Sequence, residues 1–284
     1  MTRIETLLNS DRTVFYDGAM GTMLQSRGLS PGERSDIMNI RSPDAVFEIH
    51  RAYVEAGSDI IMTNTLGANA RALRDSGHSP GRVISAAVDA ARRAAGNRAA
   101  VALDVGPIGD FMSPHGDLTP SSAYALFREQ IEIGAEAGAE LIAIETMSDT
   151  DELAAAVKAA RDACPLPVFA TMTFDKSGRT YTGVGPEDFV RRAEELGVTA
   201  LGINCSLGPG ESLPVFRRLS ELSRLPLIAK LNAGLPLSDG SYALSPETFA
   251  AQMLDYRPLG VKIAGACCGS SPAFIRALRE AFAE

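Results

Sequence analysis

The sequence predicts an α/β protein in which eight strand–helix units close into one (β/α)8, or TIM, barrel. Short apolar runs rich in strand-forming residues alternate with longer helical patterns along all 284 residues. The centres of these runs, such as Val14–Tyr16 and Leu141–Ile144, are almost continuously apolar, which is typical of parallel strands covered on both faces. Eight such units fit this length with little left over.

The eight strand candidates come at irregular intervals, so the pattern is not that of a solenoid. A doubly wound open sheet is the alternative fold. That fold usually carries a Gly-x-Gly-x-x-Gly turn after its first strand, and residues 17–22 do not match it. No linker or change of composition divides the chain, so we expect a single domain over residues 1–284. The strand candidates are Thr13–Ala19, Asp59–Thr65, Ala99–Pro107, Leu141–Met147, Pro167–Phe174, Ala200–Ser206, Pro226–Gly234 and Val261–Gly269.

The helices between the strands have recognisable beginnings and ends. A hydroxyl residue followed by proline predicts an N-cap and a first helical position, and a glycine just before an apolar run predicts a helix C-cap. The predicted starts are Ser42-Pro43, Thr119-Pro120, Ser245-Pro246 and Ser271-Pro272, and the predicted C-cap glycines are Gly57, Gly138, Gly197 and Gly260.

Composition excludes several classes of function. The net charge of −8 argues against a surface for nucleic acid or anionic membranes. The N-terminus lacks the apolar core of a signal peptide, and no apolar run is long enough to span a bilayer. Four cysteines are too few for a disulfide scaffold of this size. We therefore expect a cytoplasmic protein with reduced cysteines.

Three of the cysteines follow strand candidates: Cys205 after the sixth, and Cys267 and Cys268 after the eighth. In a barrel these strand ends share one face, which carries the active site. Three thiolates suit zinc and leave a fourth coordination position open, as in catalytic zinc sites. The alternative is that they are small buried core residues, which we expect for Cys164. A disulfide between the adjacent pair would strain the intervening peptide.

Polar residues also follow the other strand candidates. Asp17 and Glu145 are candidate ligand contacts, although an aspartate before glycine is also common in turns. The turn from Gly18 to Gly21 would let backbone amides approach a carboxylate. His50 and His78 are expected to be structural or solvated, and nothing requires a role for His115. The remaining strand-end residues are Thr63, Asn64, Thr65, Asp104, Thr146, Asn204 and Asn232.

With these residues assembled, the chain resembles the homocysteine S-methyltransferase family over essentially its whole length. It is most similar to the homocysteine-binding barrel of the cobalamin-dependent methionine synthase branch. The pairing of Asn-Cys with Cys-Cys-Gly at this spacing is highly specific. The motifs are residues 17–22 (Asp-Gly-Ala-Met-Gly-Thr), 63–65 (Thr-Asn-Thr), 145–146 (Glu-Thr), 204–209 (Asn-Cys-Ser-Leu-Gly-Pro), 232–236 (Asn-Ala-Gly-Leu-Pro) and 267–269 (Cys-Cys-Gly).

The resemblance implies transfer of a methyl group to the thiol of homocysteine, which gives methionine. It implies one zinc ion on Cys205, Cys267 and Cys268, with Asn232 as a fourth ligand before substrate arrives. The substrate ammonium would bind Asp17 and Glu145, and its carboxylate would bind the amides of Gly18 and Ala19. No further catalytic residue is implied, since zinc replaces the thiol proton.

The methyl donor is the least determined feature. The motifs favour methylcobalamin, and the chain extends only about a helix beyond Cys268, so we expect a separate corrinoid protein to supply it in trans. Gly67 replaces an aromatic residue of betaine-using relatives, which argues against betaine. S-methylmethionine, another thiol acceptor, and a non-catalytic zinc-binding subunit of a methyl-transfer complex stay open as alternatives.

Overall fold

Eight parallel strands form the centre of the molecule in a computed structural model that describes residues 1–30, 32–238 and 240–283. Each strand is short and almost completely buried, as its continuous apolar sequence requires. The strands are β1 (Val14–Phe15), β2 (Ile60–Met62), β3 (Ala100–Val105), β4 (Leu141–Met147), β5 (Val168–Met172), β6 (Ala200–Asn204), β7 (Leu227–Leu231) and β8 (Val261–Ala266).

The strands close into a barrel. They are hydrogen-bonded in the order β1-β8-β7-β6-β5-β4-β3-β2, and every pair is parallel. A parallel bridge between Tyr16 and Ile60 then joins the two edge strands. The predicted (β/α)8 fold is therefore confirmed, and the C-terminal ends of all eight strands lie on one face.

Helices connect successive strands and cover the outside of the barrel. Two short 3-10 helices, Ser35–Ile37 and Leu254–Tyr256, accompany them. None of the helices within the described part of the chain is long and apolar enough to cross a membrane. The α-helices are α1 (Arg3–Leu8), α2 (Gly21–Gln25), α3 (Met38–Arg41), α4 (Pro43–Ala56), α5 (Ala70–Leu73), α6 (Pro80–Ala95), α7 (Pro120–Glu136), α8 (Thr150–Ala163), α9 (Pro186–Leu196), α10 (Pro209–Leu222), α11 (Pro246–Met253) and α12 (Pro272–Ala283).

The helix signals in the sequence were mostly correct. Thr119 and Ser245 accept hydrogen bonds from the third residue of α7 and α11. Ser42 was wrongly assigned as a side-chain cap: its backbone has φ −147° and ψ 62°, and its hydroxyl makes no capping bond to α4. Gly57 and Gly197 end α4 and α9 in the left-handed conformation, which glycine adopts without a steric penalty.

The strands are shorter than expected, because the polar residues at their C-terminal ends lie in the following loops. The clearest case is the first strand, where Thr13–Ala19 was expected and only Val14–Phe15 is strand. Inside the barrel, apolar side chains fill the part nearest the N-terminal ends of the strands. A second apolar layer packs the helices against the outside of the barrel. The polar loops at the C-terminal ends are thus held on a rigid, fully packed support.

Candidate active site

Three cysteines meet at the C-terminal face of the barrel. The sulfur atoms of Cys205, Cys267 and Cys268 all lie within 4.8 Å of one another, and those of Cys205 and Cys268 are 3.8 Å apart. All three are free thiols. Cys164 lies apart from them at the end of α8, where its thiol approaches the carbonyl oxygen of Ala160. The sequence therefore separated the clustered cysteines correctly from the isolated one.

The loop after β6 is bent sharply to present Cys205. Cys205 and Ser206 have φ values of 59° and 58°, a left-handed conformation that is uncommon for residues other than glycine. The Cys205 amide donates to the carbonyl oxygen of Lys230 at 3.0 Å, which fixes this bend against β7. Backbone strain of this kind is typical of functional sites, where the surrounding structure maintains it.

The pKa of each clustered thiol is raised. For Cys205, a hydrogen bond with Cys267 lowers the pKa, but the contact with Cys268 and burial outweigh it and raise the pKa to about 11. Contact with Cys205 and burial raise the pKa of Cys267. Three neighbouring thiolates repel one another, so without a cation the cluster keeps its protons.

Asn232 and Tyr242 border the cysteine cluster from the β7 side. The side-chain oxygen of Asn232 accepts a hydrogen bond from the Cys268 amide at 3.1 Å. The ring of Tyr242 packs on Gly269, where an added Cβ would lie only 2.1 Å from the ring. Burial, followed by the nearby thiols, raises the pKa of the Tyr242 hydroxyl to about 12. Sequence reasoning missed Tyr242, since it lies in a loop without a distinguishing motif.

A buried cluster of charged residues lies inside the barrel. Lys230 on β7 and Glu145 on β4 form an ion pair across the interior, with Nζ 3.2 Å from Oε2. Asp17 accepts a hydrogen bond from the Met62 amide at 2.9 Å through Oδ2. Asp104, at the end of β3, interacts electrostatically with the other three. The sequence singled out the carboxylates but not Lys230, which is hidden in an apolar run.

Burial governs the ionisation of this cluster. Desolvation raises the pKa of Asp17 to about 7, although Lys230 opposes it, and desolvation and Glu145 raise the pKa of Asp104. Burial by itself lowers the pKa of Lys230. Electrostatic attraction to Cys267 and to the three carboxylates outweighs burial, so the pKa of Lys230 is raised. The lysine therefore stays charged inside the barrel.

Asn204 holds the loop that carries Glu145. Its Oδ1 accepts from the Thr146 amide at 2.8 Å and from the Thr171 hydroxyl at 2.7 Å. Its Nδ2 donates to the Thr146 hydroxyl at 2.8 Å. Thr146 has φ 63°, and a β-branched residue rarely adopts this conformation without such support. The side chain after β6 thereby fixes the residue next to Glu145.

The turn after β1 is more tightly packed than the sequence suggested. A Cβ at Gly18 would lie 2.5 Å from the Ser270 hydroxyl and 2.9 Å from that of Tyr53, so glycine is needed for close packing. The Ala19 amide donates to Ser270 Oγ at 3.0 Å. The Ala19 carbonyl accepts from Tyr53 at 2.8 Å. A ligand carboxylate would have to displace Ser270 to reach the Ala19 amide.

The threonines after β2 and the histidines lie outside the two clusters. The hydroxyls of Thr63 and Thr65 are hydrogen-bonded to each other, and Thr65 donates to the carbonyl of Asp104. Of the histidines, His50 is completely buried in α4 and burial lowers its pKa to about 4. His115 is exposed and lines a rim cavity that contains none of the clustered cysteines.

Comparison with known proteins agrees with this geometry. Residues 14–282 match the homocysteine S-methyltransferase family. The methionine synthase of Mycobacterium tuberculosis is 31% identical over an alignment of 301 residues, which covers 96% of this chain but 25% of that protein. The methionine synthase of Mycobacterium leprae is also 31% identical, over 99% of this chain and 25% of that protein. The chain thus spans about a quarter of the length of these relatives.

Among solved structures, the homocysteine methyltransferase MmuM from Escherichia coli in a metallated form has the same fold. Its TM-score is 0.85 at 24% sequence identity, with 98% of this chain and 99% of that chain covered. The family match extends over nearly the whole sequence and includes every residue of the cysteine cluster and of the charged cluster. The chain therefore belongs to the homocysteine S-methyltransferase family.

Proposed function

We propose that this protein transfers a methyl group to the thiol of homocysteine to form methionine, with zinc bound by Cys205, Cys267 and Cys268. The observation that carries the proposal is the convergence of three cysteine sulfurs within 4.8 Å at the active-site face of the barrel. Membership in the family supports the reaction class, and the neighbouring charged cluster supports an amino acid as the methyl acceptor.

The cysteine cluster fits zinc. Two sulfurs bound to one tetrahedral zinc ion at about 2.3 Å are separated by about 3.8 Å, and the sulfurs of Cys205 and Cys268 are 3.8 Å apart. A disulfide would require about 2.05 Å. The amide oxygen of Asn232 has two lone pairs, so it can accept from Cys268 and still serve as a fourth ligand. Zinc in this site would supply Lewis-acid stabilisation of the thiolate form of the substrate sulfur.

The charged cluster would hold the ammonium group of homocysteine. Asp17 Oδ1 is buried without a hydrogen-bond partner among the described residues, and the buried Glu145 Oε2 has only the ion-pair contact with Lys230 at 3.2 Å. Each can therefore accept an N–H of the substrate. Because their other contacts fix them, with Met62 on Asp17 and Lys230 on Glu145, the amino acid is oriented before reaction.

The substrate carboxylate would bind at the turn after β1. The amide of Ala19 is directed to Ser270 Oγ, a polar group that a carboxylate oxygen can replace. The Ser270 hydroxyl, which donates to the Cys267 carbonyl at 2.7 Å, would then move away from the Ala19 amide. Ser270 and Cys267 both lie in the loop after β8, so this loop contacts both the proposed amino-acid pocket and the cysteine cluster.

The donor, in this proposal, is a methylated corrinoid carried by a separate protein that docks on the C-terminal face. Transfer requires the methyl carbon to approach the sulfur to about 3–3.5 Å, so the donor must reach into the mouth of the barrel. Exposed apolar residues on the loops after four strands support docking, since such residues are enriched at interfaces. They are Leu66, Phe111, Tyr181 and Leu237.

A small-molecule donor is the second candidate, and one observation favours it. A cavity of about 330 Å³ opens at the rim between the loops after β3 and β5. Phe111 and Tyr181 stack beside it with ring centroids 5.8 Å apart, and Asp149 adds a carboxylate. Aromatic faces and carboxylates attract organic cations, so a sulfonium donor such as S-methylmethionine would suit this cavity.

A single assay separates these possibilities. Purified protein, homocysteine and one donor at a time are incubated, and methionine is measured. We expect weak activity with free methylcobalamin and stronger activity when a partner corrinoid protein carries the methyl group. Turnover with S-methylmethionine and none with any methyl-corrinoid would reject the corrinoid donor but keep the acceptor. No methionine with any donor, corrinoid protein, S-methylmethionine or betaine, would contradict the enzymatic function.

A further inference from the structure

The charged cluster contains more acceptors than the substrate contacts described above use. Two buried carboxylate oxygens, Asp17 Oδ1 and Asp104 Oδ1, have no hydrogen-bond partner within the described part of the chain. A third, Glu145 Oε2, has only the ion-pair contact with Lys230 Nζ at 3.2 Å. Asp17 is 2% exposed and Asp104 is 9% exposed, so water does not readily satisfy them. Buried polar atoms in native proteins are normally hydrogen-bonded, and exceptions often mark the place of a ligand.

The cluster also has an excess of negative charge. Asp17, Asp104 and Glu145 face a single buried cation, Lys230, which lies 3.2 Å from Glu145. Three carboxylates and one ammonium leave two negative charges unbalanced when all are ionised. A buried charge without a counter-ion is costly, so the cluster favours one more cation.

The side chain of Asp104 has no structural task that explains its position. Its backbone carbonyl accepts from Thr65 and Gln130, and its backbone amide donates to Thr63. These bonds fix the end of β3 through the main chain alone, and the carboxylate accepts no hydrogen bond from residues 1–30, 32–238 or 240–283. Asp104 follows Ala100 and Ala102 at alternate positions along β3, the pair that lines the barrel interior.

We propose that Asp104 is a third ligand for the substrate's ammonium group, and that the trio with Asp17 and Glu145 selects a primary amine. This inference rests on the proposed function. A primary ammonium carries three N–H donors, which matches one acceptor oxygen on each of the three carboxylates. An amine that lacks one N–H, or a thiol that lacks the amine, leaves at least one buried oxygen unpaired, and such a loss gives strong discrimination.

Lys230 has a supporting role in this arrangement. Its ammonium approaches Glu145 from β7 and neutralises one carboxylate before the substrate arrives. Gly265 on β8 is required for close packing against Tyr16, since a Cβ there would lie 2.6 Å from Tyr16 Cβ. In this arrangement Lys230 balances Glu145, and Asp17 and Asp104 are left for the substrate ammonium.

The test compares two ligands on three proteins. Homocysteine and 4-mercaptobutanoate, which has the same thiol and carboxylate but no amine, are titrated by calorimetry into the zinc-loaded wild type, Asp104→Asn and Asp117→Asn. Asp117 is an exposed aspartate in the loop after the same strand and serves as the matched control.

We expect Asp104→Asn to weaken homocysteine binding roughly tenfold to a hundredfold, the range for one charge-assisted hydrogen bond. Binding of 4-mercaptobutanoate and both affinities of Asp117→Asn should not change.

Stability provides a second measurement. Asp104→Asn replaces a buried carboxyl group whose Oδ1 has no hydrogen-bond partner in the described part of the chain by a neutral amide of the same size. Its thermal midpoint without substrate should therefore equal or exceed that of the wild type. Equal weakening of both ligands, or a clearly lower midpoint, would show a structural role and overturn the inference. So would unchanged homocysteine binding by Asp104→Asn. If the wild type itself does not prefer homocysteine to 4-mercaptobutanoate, the amino-acid acceptor of the proposed function is wrong, and this inference is wrong with it.

Discussion

The two ends of the barrel interior differ in chemistry although the same strands build both. Near the N-terminal ends, side chains such as Ala100, Leu141 and Ile263 form an apolar cluster. Further along the same strands, Asp104 and Glu145 carry carboxyl groups. The alternation of side chains is unchanged, so only residue identity separates the two ends. A substitution in the apolar end can therefore change stability without altering a residue of the charged cluster.

The largest effect is expected from the cysteines at the reactive end. Alanine at Cys205, Cys267 or Cys268 should reduce bound zinc from about one per chain to almost none and reduce methyl transfer to background, because two thiolates make an incomplete site. Metal analysis and the methionine assay measure both. Cys164→Ala is the matched control and should keep full zinc and activity, since Cys164 lies at the other end of the barrel beside α8. Full zinc retention in all four variants would exclude the site.

Phe169 tests the apolar end. It is 1% exposed and packs edge-on against Tyr16 with ring centroids 6.5 Å apart. Phe169→Ala should lower the free energy of unfolding by about 3–5 kcal/mol through lost burial and a cavity. Denaturant unfolding measures it. Phe111→Ala, at an exposed rim position, should change stability by less than about 0.5 kcal/mol. Similar losses in both variants would contradict the assignment of stability to the apolar end.

The reactive end should make stability depend on pH through Asp17. Its pKa is about 7 in the folded chain and 3.8 ordinarily, because burial disfavours the charged form. The folded state therefore binds this proton more tightly, and the corresponding stability is present below pH 3.8 and is lost as pH rises through 7. We expect the unfolding free energy of the substrate-free wild type, relative to Asp17→Asn, to fall by about 3–4 kcal/mol from pH 4 to pH 8. A pH-independent difference would show that Asp17 is not desolvated.

Asn204 should have the smallest effect, and it should appear in substrate affinity. Asn204→Ala removes two hydrogen bonds that hold the left-handed Thr146 beside Glu145, and a third, from the Thr171 hydroxyl, that orients the asparagine itself. We expect KM for homocysteine to rise about tenfold with zinc content unchanged, as the loss of one well-placed contact suggests. Asn39→Ala is the control: this buried asparagine is hydrogen-bonded to Asn64 and not to Thr146 or Glu145, so it should lower stability without changing KM. Equal effects on KM would contradict a positioning role for Asn204.

The fold and the cysteine cluster were predictable because their signals are local. Apolar runs define the strands, and Cys205, Cys267 and Cys268 follow them directly, so the barrel geometry alone brings them together. Lys230 was not predictable, because its partner Glu145 lies on β4 and is distant from the run Leu227–Leu231 in sequence. Only the folded barrel brings the two side chains together. The occupied Ala19 amide and the position of Tyr242 depend on contacts with Ser270 and Gly269, distant in sequence from each. Local patterns identify where a site lies, and tertiary contacts determine which atoms are free.

The apolar packing beneath the charged cluster also has a kinetic consequence. Apolar side chains fill the barrel interior on the N-terminal side of the charged cluster, so we expect both substrate and donor to approach from the C-terminal face. In the proposed reaction, homocysteine lies deeper than the donor, and a donor seated first would block its path. Steady-state kinetics should then be ordered, with the amino acid bound first and methionine released after the spent donor leaves. Methionine would accordingly compete with homocysteine for the free enzyme.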